Sequence, residues 1–165
     1  MFTNEHFAFL AEKYMDTLYR VAYSYTKSHA DAEDVTQDVL IQLYRTDKVF
    51  ESETHLKHWL IRVTVNQCKM LFRAPWRRSE SIEDYAETLG FEQREYLDLF
   101  RAVMALEKRQ RLAVYLFYYE GYSLREIAEI TGESLSAVTT RLSRARAKLK
   151  DQLTEVYGYD GSRAF

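Results

Sequence analysis

Residues Gly121–Lys150 read GYSLREIAEITGESLSAVTTRLSRARAKLK, punctuated as two helices about a tight turn. Ser123 and Glu126 have the spacing of a capping box, in which the serine oxygen accepts from the Glu126 N–H and the glutamate reaches back to the Ser123 N–H. The short helix that follows turns Leu124, Ile127, Ala128 and Ile130 inward, and Gly132 permits a sharp turn. Ser134 then caps a second helix from Leu135, with Leu135, Val138, Leu142, Ala145 and Leu149 as its apolar face. Two helices joined by a short glycine-containing turn form a helix-turn-helix, whose second helix enters the major groove of DNA.

The other side of that second helix carries Ser136, Thr139, Thr140, Ser143, Arg144 and Lys148, with Arg141 and Arg146 nearby. Hydroxyls and cations suit phosphate oxygens, and an arginine can fork onto the edge of a guanine. Arg141, Arg144, Arg146, Lys148 and Lys150 place five cations and no acid in ten residues. A charge run alone is more often a solvated face. Joined to the capping box, the turn glycine and the small inward Ala128, it reads as a DNA-binding surface.

Outward from this segment the chain is helical throughout. With only five Gly and one Pro, and apolar residues recurring every three or four positions, it predicts an all-α fold. Phe7, Leu10, Ala11, Tyr14, Leu18, Val21 and Ala22 predict a first helix over residues 3–26. Ser28, His29 and Ala30 interrupt it, and a second helix runs from Asp31 to Tyr44 with Val35, Val39, Leu40 and Leu43 inward. Asp31, Asp34, Gln37 and Asp38 form its polar face, with acids placed to complement the helix dipole. After Arg45–Glu53, Ser52 or Thr54 caps a third helix whose stripe includes Leu56, Trp59, Leu60, Val63 and Val65; Trp59 reads as core rather than a stacking platform. Residues 74–91 hold Pro75, Arg77, Arg78 and an acid-rich stretch, and read as a flexible linker with one helical turn over 82–89. From Glu92 the helical pattern returns, and residues 157–165 read as a frayed tail.

The whole chain has 165 residues, 23 Lys plus Arg against 25 Asp plus Glu, a net charge of −2 and 47% hydrophobic residues. That size fits one domain or two small ones, and the composition excludes extended disorder and a disulfide framework. No apolar run approaches the ~20 residues of a membrane span, and the N-terminus lacks a signal-peptide pattern, so a cytoplasmic protein without membrane insertion is expected. Cys68 is alone, and His6, His29, His55 and His58 do not complete a metal site. Phosphate loops and a nucleophile elbow are missing, so neither an enzyme nor a cofactor is expected. The charge is sorted along the chain: residues 74–100 carry three basic and seven acidic side chains, residues 101–165 eleven and eight. The acidic total therefore does not argue against DNA. It predicts weak, salt-sensitive binding of the isolated chain, since sequence-independent affinity follows the phosphates neutralised.

The segment LFYYEGYSLREIAEITGESLSAVTTRLSRARAKLK resembles domain 4 of bacterial sigma factors of the extracytoplasmic-function group, in the sigma-70 family. YRVAYSYTKSHADAEDVTQDVLIQLYR followed by HLKHWLIRVTVNQCKMLFR resembles domain 2 of the same group. The resemblance implies domain 2 at 1–73, a linker at 74–91 and domain 4 at 92–156. It further implies that Asp31, Asp34, Gln37, Asp38 and Gln42 dock on the beta-prime clamp helices of core RNA polymerase. Asn66, Lys69 and Arg73, with the loop 45–53, would open the minus-ten element of promoter DNA. Ser136, Thr139, Thr140, Arg141, Ser143, Arg144 and Lys148 would read the minus-thirty-five element, with domain 4 also meeting the beta flap. An anti-sigma factor, governing a stress or envelope response, is implied as a further partner.

The chain departs from the family pattern in two places. Where a proline commonly follows the leucine, Leu106 precedes Glu107, Lys108 and Arg109, which predicts a continuous helix there. Thr139 stands where a lysine is common and removes one phosphate cation. Two rival readings stay open at this level: a stand-alone helix-turn-helix regulator whose first half senses or dimerises, and a protein-binding adaptor that never touches DNA.

Overall fold

The computed structural model describes residues 2–73 and 94–157, with backbone alone at 94–96 and 155–157. The linker expected at 74–91, with its helical turn, lies outside the described residues, as does the expected tail apart from Tyr157. The described residues are helical and contain no strand, and the chain divides into two compact units, Met1–Ser79 and Glu80–Phe165.

In the first unit, α1 (Asn4–Thr26), α2 (His29–Arg45) and α3 (Glu53–Leu71) pack mutually. Each start is capped by a hydroxyl: Thr3 accepts from the His6 N–H at 3.2 Å, Ser28 from Asp31 at 3.2 Å and Ser52 from His55 at 3.1 Å. Of the two caps open for α3, Ser52 is the one used. The turn between α1 and α2 is tight because Lys27 adopts the left-handed conformation, φ 53°, and closes α1 on the Tyr23 carbonyl before Ser28 opens the next helix. Leu18, Val21, Val39, Leu43, Leu60, Ile61, Val65 and Cys68 are fully buried between the three helices. Two of the hydroxyls buried with them are satisfied within their own helices: Thr36 donates to the Ala32 carbonyl at 2.7 Å and Thr64 to Leu60 at 2.8 Å. Leu40 and Trp59 are only half-buried. Trp59 sits under the loop 46–52, with the Phe50 ring centroid at 5.3 Å and the Lys48 ammonium 5.6 Å from its own.

The second unit comprises α4 (Arg94–Met104), α5 (Lys108–Val114), a π-helical turn (Tyr115–Tyr119), α6 (Leu124–Thr131) and α7 (Leu135–Tyr157). Helices α4, α5 and α6 all pack on α7. Ala102, Leu106, Ala113, Val114, Leu142, Ala145 and Leu149 form a core flanked by Val103, Phe117, Leu124 and Leu153. The continuous helix expected across Leu106 is not found. The chain leaves α4 after Met104, and Glu107 is extended at φ −63°, ψ 145°. Arg111 explains why no proline is needed: its buried guanidinium donates to the Leu106 carbonyl at 2.6 Å, satisfying an acceptor that a broken helix would orphan. The wider turn at Tyr115–Tyr119 stacks Tyr115 on Tyr119 at 5.0 Å, and the Tyr122 N–H closes on the Leu116 carbonyl at 3.0 Å.

Candidate nucleic-acid interface

The pair α6 and α7 is assembled by local chemistry alone. Ser123 Oγ accepts from the Glu126 N–H at 3.2 Å and Glu126 Oε2 accepts from the Ser123 N–H at 2.8 Å, completing the reciprocal box. Gly132 closes α6 at φ 70°, ψ 25°, a left-handed conformation in which a Cβ is strained. Ser134 accepts from the Ala137 N–H at 3.1 Å and starts α7. Val138, Leu142, Ala145 and Leu149 are fully buried, which fixes the rotation of α7. Leu135, expected on that apolar face, is instead 43% exposed. Tyr122, half-buried just before the box, has its phenol pushed up to about 12 by burial and then by the Glu120 and Glu126 carboxylates.

That rotation leaves Ser136, Thr139, Thr140, Ser143, Arg144 and Lys148 exposed along one side of α7. Thr139 Oγ1 donates to the Leu135 carbonyl at 2.8 Å, so its hydroxyl is partly occupied by its own helix. Lys148 Nζ donates to Gln110 Oε1 at 3.3 Å. Arg141 differs from the rest: only 19% of its side chain is exposed, and its guanidinium hydrogen-bonds Glu133 in the turn. Arg146 is half-buried; its Nε donates to the Tyr118 hydroxyl at 2.5 Å, and its guanidinium lies 5.3 Å from the Phe117 ring centroid.

Sequence reasoning missed the opposite wall. The first residues of α5 come alongside the start of α7 and form with it a groove of about 650 Å³ lined by Lys108, Arg109, Ser136, Thr140, Arg141 and Arg144. The run KRQR at 108–111 held the signal: two of its cations face outward, whereas Gln110 and Arg111 are buried. The groove thus has two cations on each side with hydroxyls between and one carboxylate, Glu107, at the start of α5; the cations and hydroxyls are a donor set suited to a phosphate backbone.

The first unit presents two surfaces. On α2, Asp34, Gln37 and Asp38 are exposed, whereas Asp31 and Gln42, nearer the stripe of buried Val35, Val39 and Leu43, are half-buried. Among these polar groups stands Ile41, 47% exposed, which the acidic pattern concealed. On α3, Asn66 is exposed, Lys69 half-buried, and Arg73 exposed just beyond the helix. Arg62, one turn before Asn66, is exposed on the same side and was missed, although the four-residue spacing marks it. The N-terminus of α3 is held to α1 by Glu53, which accepts from the Tyr14 hydroxyl at 2.8 Å and pairs with Lys13. The Lys13 hydrogen bond, with help from Tyr14 and the Lys13 charge, lowers the Glu53 pKa. Among the described residues no cluster of His, Cys, Asp and Glu forms a metal site, and no helix is long and apolar enough to cross a membrane.

Two family models match the chain in order: Sigma-70 region 2 over residues 10–78 and Sigma-70, region 4 over residues 96–149. ECF RNA polymerase sigma factor SigM of Mycobacterium tuberculosis is 33% identical over 135 residues, which span 80% of this chain and 69% of that protein. RNA polymerase sigma factor SigV of Bacillus subtilis is 29% identical, covering 83% of this chain and 84% of its own. ECF RNA polymerase sigma factor SigE of Mycolicibacterium smegmatis is 32% identical over 88% of this chain, which spans 61% of that relative's length. Among solved structures, the sigma factor RpoE of Bartonella quintana, in complex with the anti-sigma factor NepR, superposes with a TM-score of 0.70 at 25% identity. That match covers 90% of this chain and 96% of RpoE. CnrH, in complex with the cytosolic domain of CnrY, gives 0.63 at 27% identity over 93% and 90%. With both regions present in order and a relative one-third identical over most of its length, the chain belongs to the extracytoplasmic-function group of the sigma-70 family.

Proposed function

We propose that this chain binds core RNA polymerase and directs it to a limited set of promoters, under the control of an anti-sigma factor. The observation that carries the reading is the two-walled cationic groove between α5 and α7, on the unit that matches region 4. Ser136, Thr139, Thr140, Arg141, Ser143, Arg144 and Lys148 read and grip the minus-thirty-five element, with Lys108 and Arg109 adding phosphate contacts. Asp31, Asp34, Gln37, Asp38 and Gln42 dock on the basic beta-prime clamp helices, where Ile41 supplies an apolar anchor inside a charged rim. Asn66, Lys69 and Arg73, joined by Arg62, hold the separated minus-ten strand: the amide meets a base edge and the cations meet phosphates. Residues 1–73 and 92–156 divide these tasks. The chain catalyses nothing itself, acts in the cytoplasm where the polymerase is, and supplies only specificity.

The anti-sigma partner is supported by RpoE and CnrH, each of which is in complex with such a protein or its cytosolic domain. An envelope or stress signal that releases the inhibitor completes the proposal. Run-off transcription with purified chain and core polymerase on a genomic promoter library tests it. Chain-dependent transcripts from a small promoter set are expected. Absence of any such transcript, with no co-purification of chain and core enzyme, would overturn the reading; tight binding of the isolated chain to promoter duplex at physiological salt would favour a stand-alone regulator.

A further inference from the structure

We infer that Glu133 is a built-in competitor for DNA phosphate, withholding Arg141 and Arg109 from the groove until a duplex displaces its carboxylate. The inference rests on the reading of the α5–α7 groove as the DNA-binding surface. Glu133 belongs to the turn rather than to either helix, and its backbone is fixed: its N–H donates to the Ala128 carbonyl at 3.1 Å, the same acceptor that Gly132 uses to end α6. The carboxylate that projects from this turn is shared between both walls of the groove. Oε2 accepts from Arg141 on α7, and Oε1 lies 3.8 Å from Nη1 of Arg109 on α5.

The exposures set the sign of the effect. The side chains of Glu133 and Arg141 are only 16% and 19% exposed, so this pair is screened less than a surface pair, whereas Arg109 is 51% exposed and more loosely held. A cation already matched by a carboxylate releases no counterion when a phosphate replaces its partner, so it adds little to sequence-independent affinity. Of the four cations lining the groove, Arg141 and Arg109 contribute only at the cost of breaking the Glu133 contacts. The device attenuates binding to DNA in general, since phosphate contacts carry no base information.

The test measures binding of the full chain to a fluorescent duplex of mixed sequence by anisotropy, from 50 to 200 mM salt. Glu133→Gln removes the charge while keeping size and hydrogen-bonding atoms. It is expected to bind at least about threefold tighter at 50 mM and to steepen the salt slope by about 0.9, an extra loss of about 3.5-fold across that range. In an Arg141→Gln background the same substitution should have a clearly smaller effect, which a general loosening of the turn would not produce. Unchanged affinity and slope, or weaker binding by Glu133→Gln, overturn the inference. The reading of the groove is tested separately by Arg144→Glu with Lys148→Glu. If that pair leaves duplex binding intact, the reading itself fails; if it abolishes binding while Glu133→Gln changes nothing, only the Glu133 inference fails.

Discussion

Helices α2 and α7 each turn a charged face to solvent, with opposite signs and opposite degrees of internal compensation. On α2 the exposed Asp34 and Asp38 enter no ion pair among the described residues and surround a half-exposed Ile41. On α7, Arg141 is matched by Glu133, Lys148 by the Gln110 amide and Arg146 by Tyr118 and Phe117. An uncompensated face with an apolar centre suits a protein partner, because its burial can add hydrophobic contact to complementary charge. A partly compensated cationic face, on which Arg144 enters no ion pair among the described residues, suits a polyanion that must be distinguished from every other stretch of the same polyanion. Under the proposed function, the difference fits a molecule that finds its protein partner first and DNA second.

The largest expected effects are on the cores that hold these two faces in place. Leu60 and Leu142 are both fully buried, and Leu→Ala at either should cost about 2–5 kcal/mol by loss of transfer energy and creation of a cavity. Urea titrations followed by circular dichroism would check both. The comparison gains force if Leu142→Ala abolishes DNA binding while polymerase binding by α2 persists, and Leu60→Ala does the reverse.

Charge reversal comes next and addresses the faces directly. Asp34→Arg with Asp38→Arg should cost several kcal/mol of affinity for core polymerase, by setting like charge against a basic partner, and leave the salt slope of DNA binding unchanged. Arg144→Glu with Lys148→Glu should do the opposite, lowering the DNA salt slope by about 0.9 for each phosphate left without its cation. Pull-down with core enzyme and anisotropy with duplex separate the two. Equal damage to both activities from either pair would mean that the faces do not divide the work.

Smaller effects are expected from the caps, whose local geometry the sequence specifies fully. Ser123→Ala should cost about 0.5–2 kcal/mol, and Ser52→Ala a similar amount in the first unit, checked by thermal denaturation. Gly132→Ala should cost about 1–2 kcal/mol, since it forces a Cβ into the left-handed region at φ 70° with no neighbouring atom to blame.

What was legible in the chain divides along the same line between local and tertiary chemistry. The capping box, the Gly132 turn, the Ser134 cap and the buried stripe of α7 depend on residues three or four apart, and a sequence displays such spacings directly. The exposure of Leu135, the pairing of Arg141 with Glu133 and the second cationic wall depend on where α5 and the turn lie beside α7. The spacing from Glu133 to Arg141 is eight residues across a turn, and from Arg109 to Glu133 it is longer still, so no periodicity connects them. The break at Leu106 misled for the same reason: the proline that usually marks it is replaced by a buried Arg111 acting through its side chain. In the first unit the face of α2 was readable from its acids, but the exposed Ile41 among them was not, because apolar residues in a helical pattern are ordinarily assigned to the core.

The smallest effect concerns pH, where the two units again differ in sign. Glu53 has a folded pKa below its usual 4.5, so its contribution to the first unit is present above that value and is lost as the pH falls through the lowered one. Tyr122 has a folded pKa raised from 10 to about 12, so the second unit keeps that contribution below pH 10 and loses it as the pH rises toward 12. Glu53 is exposed and Tyr122 only half-buried, so the shifts in melting temperature should be small, with Glu53→Gln flattening only the acid limb and Tyr122→Phe only the alkaline limb. Melting curves recorded with a probe in each unit across the pH range would check this. If Tyr122→Phe left the alkaline limb as steep as before, the loss would belong to other ionisations. The burial of the phenol beside the Glu120 and Glu126 carboxylates would then be irrelevant to how the helix-turn-helix is held.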